Sequence, residues 1–170
     1  FHHALQCGAN AIIQMDADLS HAPEDLPSLL KALGKADVVV GSRYMPGGRI
    51  DHRWSRIRRL LSLSGNFYAR CATGLQLRDV TSGFKVFRRK VLEELELDRL
   101  KCKGFAFQAE INYMCKQRGF WITEYPIFFS HRAGGISKFS WRIIWEALWR
   151  LPTIRLEGGA TVSHQGTTRK

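Results

Sequence analysis

The sequence predicts an α/β protein organised around a parallel sheet, and three features near its start predict it. Ala11-Ile12-Ile13-Gln14-Met15 is a short apolar run fit for a buried strand. Glu24 to Leu33 carries Leu26, Leu29, Leu30 and Leu33 at helical spacing, with Pro23 at the entry and Gly34 past the end. Ala36-Asp37-Val38-Val39-Val40-Gly41 is a second, β-branched strand. Strand, helix and strand following one another within about 30 residues form the unit from which parallel sheets with covering helices are built.

The remaining elements follow from the same signals. Residues 1–8 read as the end of a helix closed by Gly8. Trp54 to Cys71 reads as a long basic helix, and Thr81 to Phe87 as a strand whose beginning is marked by Ser82-Gly83. Arg89 to Leu95 continues as helix, and Phe107 to Arg118 is another, ended by Gly119. Trp121 to Phe128 is a strand whose end Pro126 demotes to an edge. From Phe139 to about Leu151, the residues Trp141, Ile144, Trp145, Leu148 and Trp149 share one helical stripe. The polar tail 158–170 is expected to be disordered, and the absence of a repeat or linker makes 1–157 one domain.

Composition removes several function classes. With 45% hydrophobic residues and 19 aromatics in 170, the chain can bury a core, which excludes disorder as its main state. Cys7, Cys71, Cys102 and Cys115 are scattered singly, so they read as reduced thiols rather than a zinc site or a disulfide scaffold. No apolar run reaches 18 residues, so no segment reads as a spanning helix. The chain enters helix directly from Phe1, from which we expect an N-terminal portion to be missing. The net charge of +11 is unevenly placed: residues 1–40 hold 2 basic and 5 acidic side chains, whereas 41–60 hold six arginines against Asp51 alone. An acidic strand end followed by an arginine cluster suits a cation on one side and an anionic partner on the other.

Asp16-Ala17-Asp18 follows a strand directly, where alternate side chains project the same way if the extended geometry persists. Two carboxylates there suit a hard divalent cation; a solvated acidic turn gives the same residues. Gly41-Ser42-Arg43 closes the next strand, so if the two strands are neighbours Arg43 shares the rim with the Asp pair. Arg58 and Ser62 lie four apart on one helix face, with Arg59 pointing away. The arginine cluster itself fits a nucleic-acid or a lipid-headgroup surface. Arg78 to Phe84 is a polar entry into a strand, readable as a structural turn. Periodicity does not say whether Gln108 or Glu110 faces a site. His131 to Lys138 is a basic loop ahead of a helix, either an anion clamp or a plain exposed loop. The Trp-rich stripe fits a core face or, with its interspersed arginines, a headgroup-level interfacial helix.

Taken in order, Met15-Asp16-Ala17-Asp18-Leu19-Ser20-His21, Pro23-Glu24-Asp25-Leu26, Gly41-Ser42-Arg43-Tyr44, Gly47-Gly48, Asp79-Val80-Thr81-Ser82-Gly83-Phe84, Phe107-Gln108-Ala109-Glu110 and Ser137-Lys138 resemble the dolichyl- or polyprenyl-phosphate mannosyltransferases of the family 2 glycosyltransferases, over residues 8–150. The resemblance implies a Rossmann-like GT-A fold, mostly parallel with helices on both faces, its first strand or strands missing together with the Pro-x-Tyr-Asn-Glu signature. It implies GDP-mannose as donor, Mg²⁺ or Mn²⁺, and a polyprenyl (dolichyl) phosphate acceptor at the cytoplasmic face of a membrane, the protein being peripheral or anchored by segments outside this chain; nucleic acid is not an expected partner. Carried over, Asp16 and Asp18 match the metal and donor-diphosphate ligands. Arg43, Arg58, Ser62, Arg132 and Lys138 match groups holding the acceptor phosphate and donor, and Asp79 and Gln108 match positions on the sugar side. Asp18, Arg43 and Asp79 are the expected catalytic residues. Ser20 stands where the family often has Gln, which leaves a third metal ligand to water. A phosphate monoester, with a second pKa of about 6, is already largely dianionic at neutral pH and needs no strong base, so a single inverting displacement is expected. The alternatives are a sibling transferase using UDP-glucose or another nucleotide sugar with a lipid phosphate, and, outside enzymes, a basic nucleic-acid-binding α/β module.

Overall fold

Four strands make the central sheet: β1 (Ala11–Gln14), β2 (Val38–Ser42), β4 (Lys85–Arg88) and β5 (Ile122–Pro126), in the order β1-β4-β2-β5. This is a computed structural model, and it describes residues 1–131, 145 and 147–155. A second, two-stranded sheet pairs β3 (Arg49–Ile50) with β6 (Phe128–Phe129) in parallel. The helices are α1 (His2–Gln6), α2 (Leu26–Leu33), α3 (Arg56–Thr73), α4 (Arg89–Glu94) and α5 (Gly104–Gln117), with 3₁₀ turns at Pro23–Asp25 and Leu97–Arg99 and a further helical stretch over 147–155.

The α/β class expected from the sequence is present, with one correction to the sheet. β1, β2 and β5 run the same way, but β4 lies between β1 and β2 and is antiparallel to both. The connectivity explains the reversal. After leaving β2, the chain runs through β3 and α3 and returns to the edge it left, so β4 has to enter from the carboxyl ends of its neighbours. A buried strand reading Lys85-Val86-Phe87 carries no mark of its direction, which is why the sequence did not disclose it. β1 and β2 are therefore not neighbours, yet the ends of both still lie at one edge with the entry to β4: Gln14 and Val40 both pair with Lys85.

Alternation along the strands divides the core between the two faces. Val38, Val40, Phe87 and Ile12 pack on Val91 and Leu92 of α4 and on Ile111 and Cys115 of α5. Val39, Val86 and Phe84 pack on Leu29 and Leu33 of α2 and on Ile127. The expected helix from Glu24 is split at Leu26 into a 3₁₀ turn and α2, of which Leu30 is left exposed. Arg88 donates to the carbonyls of Leu33 and Ala36 at 2.7 and 2.8 Å, so a cation satisfies the carboxyl end of α2. The expected strand from Thr81 begins only at Lys85, because residues 79–82 engage their side chains elsewhere.

Among the described residues α3 is the longest helix, 18 residues, and its limits are those of its caps. The Ser55 hydroxyl accepts the Arg58 N–H at 3.2 Å, and Gly74 ends the helix with φ +67°, a conformation that costs glycine little. Ala69 of α3, Ala106, Ala109 and Tyr113 of α5, and Ala147 and Leu151 of the 147–155 helix form a third cluster. Gly48 turns the chain after β2: a Cβ there would lie 2.6 Å from the Ser42 carbonyl oxygen, so only glycine lets β3 return so close to Arg43.

Candidate functional site

The loops at the carboxyl edge surround an open cavity of about 770 Å³, walled in part by Asp16, Asp18, Arg43, Arg58, Gly83 and Gln108. Carboxyl ends of strands are where open α/β sheets bind ligands. The side chains reach this cavity by distinct devices.

Asp16 and Asp18 do not continue the strand as the simplest reading expected, since β1 ends at Gln14. Leu19 adopts φ +62°, the one positive value at a non-glycine among the described residues, and reverses the chain. The reversal brings the Ser20 N–H to Asp18 Oδ1 at 3.1 Å, and the buried Ser20 hydroxyl donates to the same oxygen. Ser20 therefore orients a carboxylate here. His21, 2% exposed, closes the turn: its Nδ1 accepts the Asp16 N–H at 3.0 Å, while its ring stacks on Phe84 and meets Phe129 edge-on. Burial lowers the imidazole below its ordinary pKa against the pull of Asp16, and the accepting Nδ1 leaves the ring proton on Nε2. The sequence reading quoted His21 without a role; its signal was an amphipathic ring three residues past the second of two acids.

Gly83 gives Asp16 its room. A Cβ on Gly83 would lie 3.2 Å from Asp16 Oδ1 and 3.5 Å from Oδ2. Gly83→Ala is accordingly expected to push the Asp16 carboxylate aside by a few tenths of an ångström and to lower turnover about tenfold, while the melting temperature stays near that of the unmodified chain. Steady-state rates beside a thermal melt check it; unchanged turnover would show that Asp16 needs no such exact seat.

Arg43 and Asp79 form a buried two-pronged pair. Nε donates to Oδ2 at 2.7 Å, Nη2 to Oδ1 at 2.8 Å, and the Arg43 backbone N–H to Oδ2 at 3.0 Å; Nη2 also meets the Thr81 hydroxyl. Asp79 is fully buried. Burial would raise its carboxyl pKa, but the Arg43 guanidinium overcomes this and holds it below the usual range; for Arg43 itself burial is outweighed by Asp79, which raises its pKa. Arg43 borders the cavity, with Tyr44 and Phe129 under its guanidinium, whereas Asp79 lies beneath it and off the cavity wall. Asp79, expected among the catalytic residues, here positions Arg43. Two of the Arg43 guanidinium nitrogens are spent on this clamp, and Nη1 is the one that meets no acceptor among the described residues.

Three further side chains pin the loop that carries Asp79, and the sequence reading missed all three. Glu124 of β5 accepts the N–H groups of Arg78 and Asp79, each at 2.8 Å. Asn66, buried in α3, donates to the Arg78 carbonyl at 2.6 Å and accepts the Val80 N–H at 2.9 Å. Asn112 of α5 donates to the Val80 carbonyl at 3.2 Å. Asn66 interrupts the buried side of a helix, and that was the only trace in the sequence.

Of the α5 candidates, Gln108 faces the cavity, and Glu110 turns back to accept the N–H groups of Lys101 and Cys102. Beneath Gln108 lies Lys85, fully buried, its Nζ donating to the Gln108 carbonyl at 3.1 Å and to Oε1 at 2.5 Å. Burial draws the Lys85 ammonium down to about 7, with Cys115, Asp79 and Asp16 acting the other way. Arg58 borders the cavity with its guanidinium 3.8 Å above the Trp54 ring centroid. Ser62, one turn along α3, is off this cavity and accepts the Tyr44 hydroxyl at 2.7 Å. Arg132, Lys138 and the greater part of the expected 139–151 helix lie outside the described residues. Among the described residues no three His, Cys, Asp or Glu side chains gather as a metal-ligand group, and no helix is long and apolar enough to cross a membrane.

Comparison with known proteins meets this geometry from the other side. The family described as glycosyl transferase family 2 matches residues 3–96, the span that holds the Asp turn, Arg43, Asp79 and Lys85. A protein of Micrococcus luteus named undecaprenyl-phosphate mannosyltransferase is 40% identical over 148 residues, which cover 87% of this chain and 60% of that protein. A protein of Mycolicibacterium smegmatis named polyprenol monophosphomannose synthase is 38% identical over 159 residues, 93% of this chain and 60% of that protein. The chain thus spans about three fifths of the length of the curated relatives it matches.

Proposed function

The chain belongs to glycosyl transferase family 2, and from that premise we propose that it carries the acceptor side and the donor-diphosphate side of a mannosyltransferase site, moving mannose from GDP-mannose to a polyprenyl phosphate with inversion at the anomeric carbon. The observation that carries the reading is the meeting of two carboxylates, Asp16 and Asp18, with two arginines, Arg43 and Arg58, around one cavity at the carboxyl edge of the sheet. The names of the two relatives support a polyprenyl phosphate acceptor and a mannosyl donor.

The donor set fits a hard divalent cation such as Mg²⁺ or Mn²⁺. Asp16 and Asp18 would hold it through two carboxylate oxygens, few enough to leave positions for diphosphate oxygens and water, which is how Mg²⁺ is commonly held in phosphate sites. When bound, the ion neutralises charge on the departing nucleotide diphosphate. The chain's own residues do the rest. Ser20 and His21 hold the Asp turn in shape, Asp79 aims Arg43, and Trp54 supports Arg58 from below. Arg43 and Arg58 orient an acceptor phosphate whose nucleophilic oxygen needs no proton removed near neutral pH.

A membrane surface as the place of reaction is supported by exposed apolar side chains. Ile57, Leu60, Leu61 and Phe67 are exposed on α3, and Trp145, Leu148 and Trp149 are exposed on the stretch whose Ala147 and Leu151 pack with Ala69 of that helix. Arg56 and Arg59 flank them, a pairing that suits an anionic headgroup layer at the cytoplasmic face.

The test is a radiolabel transfer assay on the full-length protein with GDP-mannose, Mg²⁺ and short polyprenyl phosphates. Metal-dependent label in the lipid phase, with β-linkage in the product, is the expected result. Transfer from UDP-glucose alone would change the sugar and keep the site; retention of configuration would sink the displacement; no transfer from either donor, with tight nucleic-acid binding instead, would overturn the reading.

A further inference from the structure

We propose that Lys85 is a positioning residue that fixes the polarity of Gln108, so that the cavity is offered a hydrogen-bond donor and selects an acceptor oxygen on the sugar-nucleotide. The inference rests on the transferase reading above and adds to it which end of an amide the donor substrate meets.

The argument starts from β4. Lys85 shares the α5 face of the sheet with Phe87, two residues on, and is fully buried there. A lysine in that setting needs acceptors, and the side chain finds two on one residue, the carbonyl and Oε1 of Gln108. A side-chain amide has one acceptor end and one donor end. Charged, Nζ donates to the Gln108 carbonyl and to Oε1 and accepts nothing, so the end of the amide turned to Lys85 is the oxygen, and the end left over is Nε2. Gln108 lines the cavity, and no described residue accepts from its Nε2. Without Lys85 the amide could present either end, and an acceptor on the ligand would meet oxygen as readily as nitrogen. With it, a sugar hydroxyl oxygen or a diphosphate oxygen meets a donor already in place, and a group that only donates is disfavoured.

The lock also explains a buried lysine at the entry to a central strand. Ile12, Val38, Val40 and Phe87 supply apolar side chains to that sheet face, and a lysine there serves packing poorly.

The test uses the full-length protein, with GDP-mannose and GDP as probes in calorimetric binding, steady-state KM for GDP-mannose, and thermal melts. Three variants separate orientation from mere support. Gln108→Glu keeps Lys85 paired but removes the donor; it is expected to raise the KM for GDP-mannose about tenfold or more while the melting temperature holds or rises. Lys85→Met/Gln108→Leu replaces both partners by apolar groups and adds no charge, so it is expected to fold and to show the same loss of binding. Lys85→Met alone frees the amide and is expected to weaken GDP-mannose several-fold, with Lys85→Arg restoring much of it. A purely structural bond predicts the opposite pattern: Gln108→Glu and the double variant would bind as the unmodified protein does. Should Lys85→Met fail to fold, Gln108→Glu and the double variant decide. Weakened GDP-mannose with unchanged GDP assigns the contact to a sugar hydroxyl, and equal weakening of both in the uncharged double variant assigns it to a diphosphate oxygen. Transfer activity with unchanged affinity in these variants overturns the role of Lys85 alone, whereas an unmodified protein that transfers no sugar overturns the transferase reading as well.

Discussion

Asp79→Ala is expected to destabilise the protein by about 3–5 kcal/mol, because it strands the Arg43 guanidinium in a buried position with its main counter-charge gone. For a chain of this size that corresponds to a fall in melting temperature of roughly 6–20 °C. Three hydrogen bonds converge on the carboxylate from Arg43 alone, and Glu124 and Asn66 hold the loop that presents it, so the surroundings have no easy way to relax. Transfer activity should fall with the fold, since Arg43 borders the cavity only in the orientation Asp79 imposes. The pH dependence follows from the direction of the shift. The Asp79 carboxyl is held below the unfolded value of about 4, so its contribution is fully present above that value and is lost as the pH falls through the lower folded value. Thermal melts between pH 3 and 7 should show an acid limb that Asp79→Asn loses in part. A variant melting within a degree or two of the unmodified chain would mean that the buried pair is dispensable.

Asp18→Ala should divide stability from activity in the other direction. Its carboxylate is partly exposed on a turn, where the N–H and hydroxyl of its near neighbour Ser20 donate to it. The fold should therefore survive with a small change in melting temperature. Turnover should fall by about 10²–10³ or more, the scale on which removal of one group that stabilises developing charge is felt. Ser20→Ala, which leaves the carboxylate in place but removes the hydroxyl that orients it, should give a milder loss with a raised Mg²⁺ requirement. Transfer assays across a Mg²⁺ titration, beside melts of each variant, check both. Full activity in Asp18→Ala would remove the carboxylate pair from the mechanism.

The two residues show why some of the site was legible and some was not. Asp18 could be found because it stands two residues from Asp16 just past an apolar run, and local spacing is a property of the chain. Arg43 was legible for the same reason, at the end of the second strand. Asp79 was legible as part of a motif but not in its part: it is 36 residues from Arg43, and only the fold makes them a pair. Gln108 and Glu110 could not be separated by period, and the distinction came from Lys85 on one side and the Lys101-Cys102 backbone on the other. Ser62 was assigned with Arg58 by helical spacing, yet Tyr44 draws its hydroxyl away from the cavity that Arg58 borders.

By itself, the order of residues determined the α/β class, the helix ends marked by Gly34 and Gly119, and the location of the acidic turn and the arginines at strand ends. These are local matters, decided by period, cap chemistry and the conformational range of glycine. The tertiary structure alone decided that β4 runs against its neighbours, that Asp79 is spent on Arg43, and that a lysine lies beneath Gln108. Each depends on groups far apart in the chain meeting in a buried place, where an unpaired charge or amide is costly and so the partner found there dictates the role.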